Sequence, residues 1–528
     1  MSTADRLGCL DLPAPVRELA GRRWDAVVVG GGHNGLAAAA YLALAGRSVL
    51  LLERRERVGG ACTAERPFPD SRYVISPCAY LVGLLHPLVI DELGLARHGY
   101  RVHRCDPSQW SPFLDGQSLT EWKDPGQTAE SVRRISPSDV EGYFAYQDVY
   151  TRIRDRLRSR DPSCDTWVGD SPDDQTLRSL LGGDDEAEAV VFELSIADLV
   201  ERYVKDERLR AALHGAGVIG TWAGPRDPGT ASVRLMHNLG LIGGWGYVTG
   251  GMGTISFALA DVAIEAGATL ACGVPVAAIE PGVGVRLEGG DLIRAGVIVS
   301  NADPLRTLSL VGAAAPGQWR SRLEEWDVRS PVVKLNCGLV RLPRFTAGGS
   351  IGRDAYRAMV VLSTGIDDTQ AAFEACRQGR PAPDWCELYF QTAYDPTVAP
   401  PGRHAMSVFC QYAPYTLATG DWDSRREEIA GQILDRIALF APDVKDCVEY
   451  WDLLGPPDIE ARVGLTGGHI FQGSCLPGQM WQRRLAARTP VDGLYLCGAA
   501  THPGGSVIGI NGRNAAMAVI ADAARARA

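Results

Sequence analysis

The sequence predicts an α/β fold, and three observations predict it. Residues 24–53 read as a buried strand, a glycine turn, a helix and a second strand ending in an acid. Residues 493–516 repeat a strand, a glycine-rich loop and a helix at the other end of the chain. Glycine makes 60 of the 528 residues, above the typical ~7%, so many tight turns and close backbone approaches are expected.

Trp24 to Val29 is a short run rich in β-branched residues, the pattern of a strand buried on both faces in a parallel sheet. Gly30, Gly32 and Gly35 follow in G-x-G-x-x-G spacing within "VVVGGGHNGLA", and Leu36 to Ala45 reads as an Ala/Leu-rich helix stopped by Gly46. The run "SVLLLE" is a second strand ending at Glu53. In that order the first glycine permits the turn, the second lets a pyrophosphate approach the backbone, and the third lets helix and strand pack. The phosphate then meets free N–H groups at the helix N-terminus. Glu53 falls where a carboxylate accepts hydrogen bonds from a ribose and repels a 2′-phosphate. A Rossmann-type dinucleotide site follows. Gly215, Gly217 and Gly220 share the spacing, but a helical pattern precedes them and a Pro/Gly-rich turn follows, so that match reads as accidental.

Composition narrows the function classes. A net charge of −10 argues against nucleic acid as a partner, because such binding rests on Lys and Arg neutralising phosphates. The thirteen cysteines form no C-x-x-C pair and no Cys/His cluster, so neither a metal site nor a redox dithiol is expected, and the odd count reads as reduced thiols. The first 23 residues lack the apolar core of a secretory signal and read as a surface segment, and no run of 18 apolar residues is present. A cytoplasmic protein is expected, with peripheral membrane contact and oligomeric state left open. "AYLVGLLHPLVI" suits a lipid-sized tunnel or a membrane-docking face, and equally a core.

The residues after Glu53, "RRERVGGACT", place Arg57, Gly59 and Gly60 directly behind the second strand. This pattern resembles the extended FAD fingerprint of the amine oxidase and phytoene desaturase superfamily. The C-terminal "GLYLCGAATHPGGSVIGINGRNAA", with its T-H-P-G-G at Thr501 to Gly505, is similar to phytoene-desaturase-like and carotene-isomerase-like members, including the pyridine-nucleotide-disulfide-oxidoreductase-like branch. The mid-chain "GYVTGGMGTISFALADVAIEAGATL" reads as a turn, an amphipathic helix and a strand, followed by short β segments ending at Asn301. It resembles the family's G-G-M segment. The resemblance implies FAD contacts at Gly30, Gly32, Asn34, Gly35, Glu53, Arg54, Arg57, Gly59, Gly60, Ala61, Val276, Asn301, Gly498, Ala499, Gly509, Ile510 and Asn511. Many amine oxidases carry Asp where Ala499 stands, so a side-chain contact to the ribityl hydroxyls is not carried over.

The implied architecture is a discontinuous FAD-binding domain with a glutathione-reductase-like sheet, built from residues 20–104, 245–325 and 485–528. An α+β substrate domain takes 105–244, a largely helical part, and 326–484, a strand-rich part. "RDPSCDTWVGDSPDDQ" and "GGDDEAEA" read as surface loops.

Flavin supplies hydride chemistry and the protein supplies orientation and electrostatics. With no second credible nucleotide cradle, oxidation of an organic substrate to a C=C or C=N product is expected, with oxygen or a quinone as acceptor. A redox-neutral polyene isomerase and a non-catalytic FAD-binding partner are the alternatives. Lys334, a lone lysine in an apolar strand, reads either as holder of a water near flavin N5 or as a strand-edge cap. His469 and His502 read as proton carriers or as structural histidines. Tyr80, Trp245 and Tyr247 read as walls of an apolar pocket or as core, and Cys62 as a small buried hydrophobe rather than a flavin attachment. The substrate is left open among polyenes, amines and secondary metabolites.

Overall fold

The first strand, Arg23–Val29, pairs in parallel with Val49–Glu53 on one side and Leu292–Ser300 on the other. The computed structural model describes residues 2–347, 349 and 351–526; the last two residues of the expected 485–528 block lie outside them. Seven strands make this sheet. Thr269–Cys272 lies outside Val49–Glu53, while Gly284–Leu287 and Val276–Glu280 extend the far edge antiparallel. The long Leu292–Ser300 strand takes Gly284–Leu287 against its first residues and Leu494–Leu496, parallel, against its last. Three remote parts of the chain therefore form one sheet.

Helix His33–Leu44 is buried on nearly every side, because it packs against helices Gly253–Glu265 and Ile510–Arg525 as well as the sheet. Its Ala37–Ala40 run makes that closeness feasible, since small side chains let helix backbones approach. At Gly512 a Cβ would stand 2.1 Å from the Asn34 carbonyl oxygen, so the C-terminal helix reaches the first turn of the cradle only with glycine there.

A second sheet runs in the order Val448–Leu454, Val332–Leu339, His404–Gln411, Trp385–Tyr389, Met359–Leu362, Gln109–Pro112, Ser118–Glu121. All neighbours are antiparallel except Met359–Leu362 with Gln109–Pro112. Side chains alternate between its faces. Val333, Leu335 and Cys337 enter one core with Val408 and Leu388, beneath helix Trp422–Ala438. Lys334 and Asn336 share the other face. Strand Val102–Arg104 pairs with Gly246–Val248 where the chain passes between the two bodies.

Several expectations are corrected. The first helix begins at His33 rather than Leu36, because Gly32 is already in the extended conformation of an N-cap. Helix Gly253–Glu265 is not amphipathic: neighbours cover almost all of it, so it has no polar face to keep. The N-terminal segment is partly packed, with Thr3 bonded to Asp261 and Cys9 bridging Arg57. Within "RDPSCDTWVGDSPDDQ", Asp165, Thr166 and Trp167 are buried, because Arg158 binds Asp165 through two hydrogen bonds and covers the Trp167 ring. "GGDDEAEA" enters helix Asp185–Phe192, capped by Asp184. The 105–244 part supplies two strands to the sheet of the 326–484 part, so the two parts share a core face.

Candidate active site

A single cavity of about 590 Å³ runs from the first turn of the parallel sheet to the face of the second sheet that carries Lys334. At its first end Gly30 adopts a φ of +100°, and its N–H donates to the Leu52 carbonyl at 2.8 Å. The next residue points its N–H at Glu53: Gly31 N donates to Oε2 at 2.7 Å and Arg55 N to Oε1 at 2.9 Å. The carboxylate is thus fixed at the strand end while lining the cavity. A Cβ on Gly35 would stand 2.2 Å from the Gly30 carbonyl oxygen, and one on Gly32 would stand 2.8 Å from Asn301 Nδ2. Asn301 Nδ2 donates to the Gly30 carbonyl at 3.3 Å, tying the two strand ends together.

Gly30, Gly32, Asn34, Glu53, Arg54, Gly60, Ala61, Val276, Asn301 and Ala499 line the cavity. The structure does not bring the other expected contacts to its wall. Gly35 and Gly59 lie behind the turn as packing positions. Arg57 turns away to donate to the Ala64 carbonyl at 3.4 Å. Gly498 is covered by Gln472, which itself lines the cavity. Gly509 and Ile510 start the last helix, and Asn511 donates to the Thr501 carbonyl at 3.0 Å and to the Gly504 carbonyl at 3.2 Å. These three hold the loop that presents Ser506 and Val507 in their place. His33, unremarked in the sequence, also lines the cavity, and its buried Nε2 has no partner among the described residues. Burial lowers its pKa to about 4.

The second end is walled by Tyr80, Trp245, Phe409 and Tyr389. Tyr247 faces a separate small void instead. Lys334 lies in register with Phe409, which in turn faces Glu387. Its ammonium donates to Asn336 Oδ1 at 3.2 Å and to Ser407 Oγ, and stands 4.6 Å from the centre of the Tyr80 ring. No carboxylate pairs with it at ion-pair distance among the described residues, and burial lowers its pKa to about 7. Burial raises Glu387 to about 7 as well, against the opposing effect of the Tyr389 hydroxyl that donates to it. Tyr80 and Tyr389 stack with ring centres 4.4 Å apart.

His469 and His502 are buried and do not line this cavity. His469 Nδ1 accepts from the Phe471 N–H at 3.2 Å, and burial lowers its pKa to about 3. His502 Nε2 bonds the Thr166 carbonyl at 2.7 Å, and its pKa falls to about 4 for the same reason. Besides His33, the histidine on the wall is His237, whose Nδ1 donates to the Val233 carbonyl at 2.9 Å, leaving Nε2 as the acceptor nitrogen. The chemistry of Glu387 was readable only as an acid inside the apolar alternation "WCELYF"; His237 carried no such signal.

All thirteen cysteines are free. Among the described residues no group of side chains is arranged to hold a metal ion, and no helix is long and apolar enough to cross a membrane.

A glycine-turn cradle opening into an apolar chamber with near-neutral ionisable groups defines a Rossmann-type oxidoreductase. The comparisons agree. The family model of the NAD(P)-binding Rossmann-like domain matches residues 28–85. Pyridine nucleotide-disulfide oxidoreductase domain-containing protein 2 of Rattus norvegicus is 34% identical over 94% of each chain. Phytoene desaturase (neurosporene-forming) of Rhodobacter capsulatus is 27% identical over 92% of each. A redesigned putrescine oxidase shares the fold, with a TM-score of 0.58 at 15% identity over 95% of this chain and 99% of that one. The chain belongs to the family of pyridine nucleotide-disulfide oxidoreductase domain-containing protein 2.

Proposed function

We propose that the chain binds FAD in the cradle and uses it to remove two hydrogens from an apolar organic substrate, leaving a C=C or C=N bond. The observation that carries this reading is continuity: Gly30, Glu53, Asn301 and Ser506 share one cavity with Tyr80, Lys334 and Tyr389. The cradle fits the cofactor on its own chemistry. Glu53 is held to accept from ribose hydroxyls. The Nε2 of His33 and the Oδ1 of Asn34 are buried at the helix start with no partner among the described residues, and buried polar atoms are normally bonded.

The chemistry supplied by bound FAD is acceptance of a hydride. The chain's own residues do the rest. Tyr80, Trp245 and Phe409 exclude water and orient the substrate. Lys334 and Glu387, each ionising at about 7, are placed to take or hold the proton that leaves with the hydride. Oxygen or a quinone is favoured as acceptor, because Gly215–Gly217 is a 3₁₀ turn in which a Cβ on Gly215 would stand 1.9 Å from Trp385. Gly215 packs against that indole, Gly217 against Ile196 and Gly220 against Phe471, so this glycine triplet is a packing turn rather than a second cradle.

The test is anaerobic mixing of the purified protein with polyene, amine and secondary-metabolite panels, followed by mass spectrometry. Bleaching of the yellow colour with a product two hydrogens lighter supports the reading. A protein that stays colourless after reconstitution with FAD overturns it, and isomerised product without bleaching assigns the redox-neutral alternative.

A further inference from the structure

The cavity wall crosses six strands of the second sheet. Lys334, Phe409, Tyr389, Met359, Gln109 and Glu121 come from successive strands and all line it. Five strand spacings of ~4.8 Å set the two ends roughly 24 Å apart along the sheet. The end remote from Lys334 is polar, and its hydrogen bonds run in one direction. Arg234 Nη2 donates to Gln147 Oε1 at 2.9 Å, Gln147 Nε2 to the Tyr143 hydroxyl at 3.3 Å, and that hydroxyl to Glu121 Oε1 at 2.6 Å.

Two acceptors are left over. Among the described residues nothing donates to Glu121 Oε2. Gln109, its cross-strand partner, spends both Nε2 hydrogens on Ser111 Oγ and the Ala212 carbonyl, and its Oε1 accepts from no residue. Beside them Arg234 is 8% exposed, held between the Tyr146 and Tyr150 rings at 4.8 and 5.0 Å, with no carboxylate at ion-pair distance and its Nε unpartnered. A ligand group that fills this end without leaving the two acceptors unpaired donates hydrogen bonds to them, which disfavours a bare hydrocarbon end. The buried guanidinium disfavours an ammonium, and the Glu121 carboxyl disfavours a carboxylate. A hydroxyl remains: it donates to one acceptor and is neutral.

We propose that this remote end is a recognition site for a hydroxyl group, so that the substrate is an elongated apolar molecule carrying an alcohol at the end away from Lys334. This rests on the reading of the chamber as the substrate site. The test uses the holoprotein and tryptophan fluorescence, which Trp245 on the wall reports, with four probes: myristyl alcohol, its parent alkane, myristylamine and myristate. The alcohol is expected to bind about ten-fold more tightly than the alkane, the worth of a neutral hydrogen bond, and more tightly than the amine or the acid. Glu121→Gln and Gln109→Leu combined, which remove both free acceptors, should bring the alcohol to the affinity of the alkane, with melting curves and visible spectrum as checks on folding. Equal binding of alcohol and alkane, or preference for the amine or acid, overturns the proposal. The wild-type ranking decides even if a variant fails to fold. A colourless protein that still ranks the alcohol first refutes the flavin reading and leaves this one standing.

Discussion

Lys334 and Glu387 stand on either side of Phe409 in one register row of the second sheet, and burial drives both toward their neutral forms, to pKa values of about 7 from opposite directions. An acid and a base that exchange protons near neutrality beside an apolar chamber are suited to carry a proton released by substrate.

Lys334→Met is expected to stabilise the protein most at low pH. The folded pKa lies at about 7 against 10.5 for the free side chain, so between those values the unfolded chain binds more protons and stability rises with pH. The burial penalty is fully present below about 7 and is relieved as pH rises toward 10.5, with an upper bound of roughly 5 kcal/mol. Denaturant unfolding at pH about 6 and about 10 should show a large difference between variant and wild type at the lower pH and a small one at the higher.

Glu387→Gln should act in a different window. Its folded pKa of about 7 exceeds the ordinary 4.5, so the folded state holds the proton longer and stability falls as pH rises between the two. The variant should lose that slope. If Glu387 takes the substrate proton, the pH profile of anaerobic bleaching should also lose its inflection near 7.

Gly32→Ala and Gly35→Ala should separate binding from folding. A Cβ on Gly32 meets the far end of the Asn301 side chain, which can shift, whereas one on Gly35 meets the Gly30 backbone oxygen at 2.2 Å. The first variant is expected to melt within a few degrees of wild type and lose its visible absorbance. The second should lose about 2 kcal/mol or more, the scale of backbone overpacking, measured by thermal unfolding.

Arg484→Met should loosen the loop over the cradle. The buried guanidinium donates to the Phe471 and Ala499 carbonyls at 2.7 Å and to the Ser474 carbonyl at 2.8 Å, spanning the loop that places Gln472 over Gly498. Leaving those carbonyls unpaired is expected to cost about 3 kcal/mol, with weaker FAD retention on gel filtration as the second readout.

The cradle was legible because its parts are neighbours in sequence. Strand, turn, helix and acid occupy residues 23–53, and each step is dictated by local backbone chemistry: a positive φ at Gly30, an extended Gly32 opening the helix, an acid ending the strand. Lys334 stood out as a charge in an apolar strand. The surroundings of the histidines were not legible, because a sequence shows that imidazole can titrate, not that the His502 ring bonds the Thr166 carbonyl. Gln472 and Arg234 escaped notice because neither breaks a local pattern.

The chain's order alone thus specified a dinucleotide turn and the parallel strands around it, since those depend on contacts between residues a few positions apart. Only the tertiary structure decided the chamber. Its wall takes one or two residues from each of six strands spread over positions 109–411, and the ionisation of Lys334 and Glu387 is set by how far folding removes each from water, which depends on neighbours that lie far away along the chain.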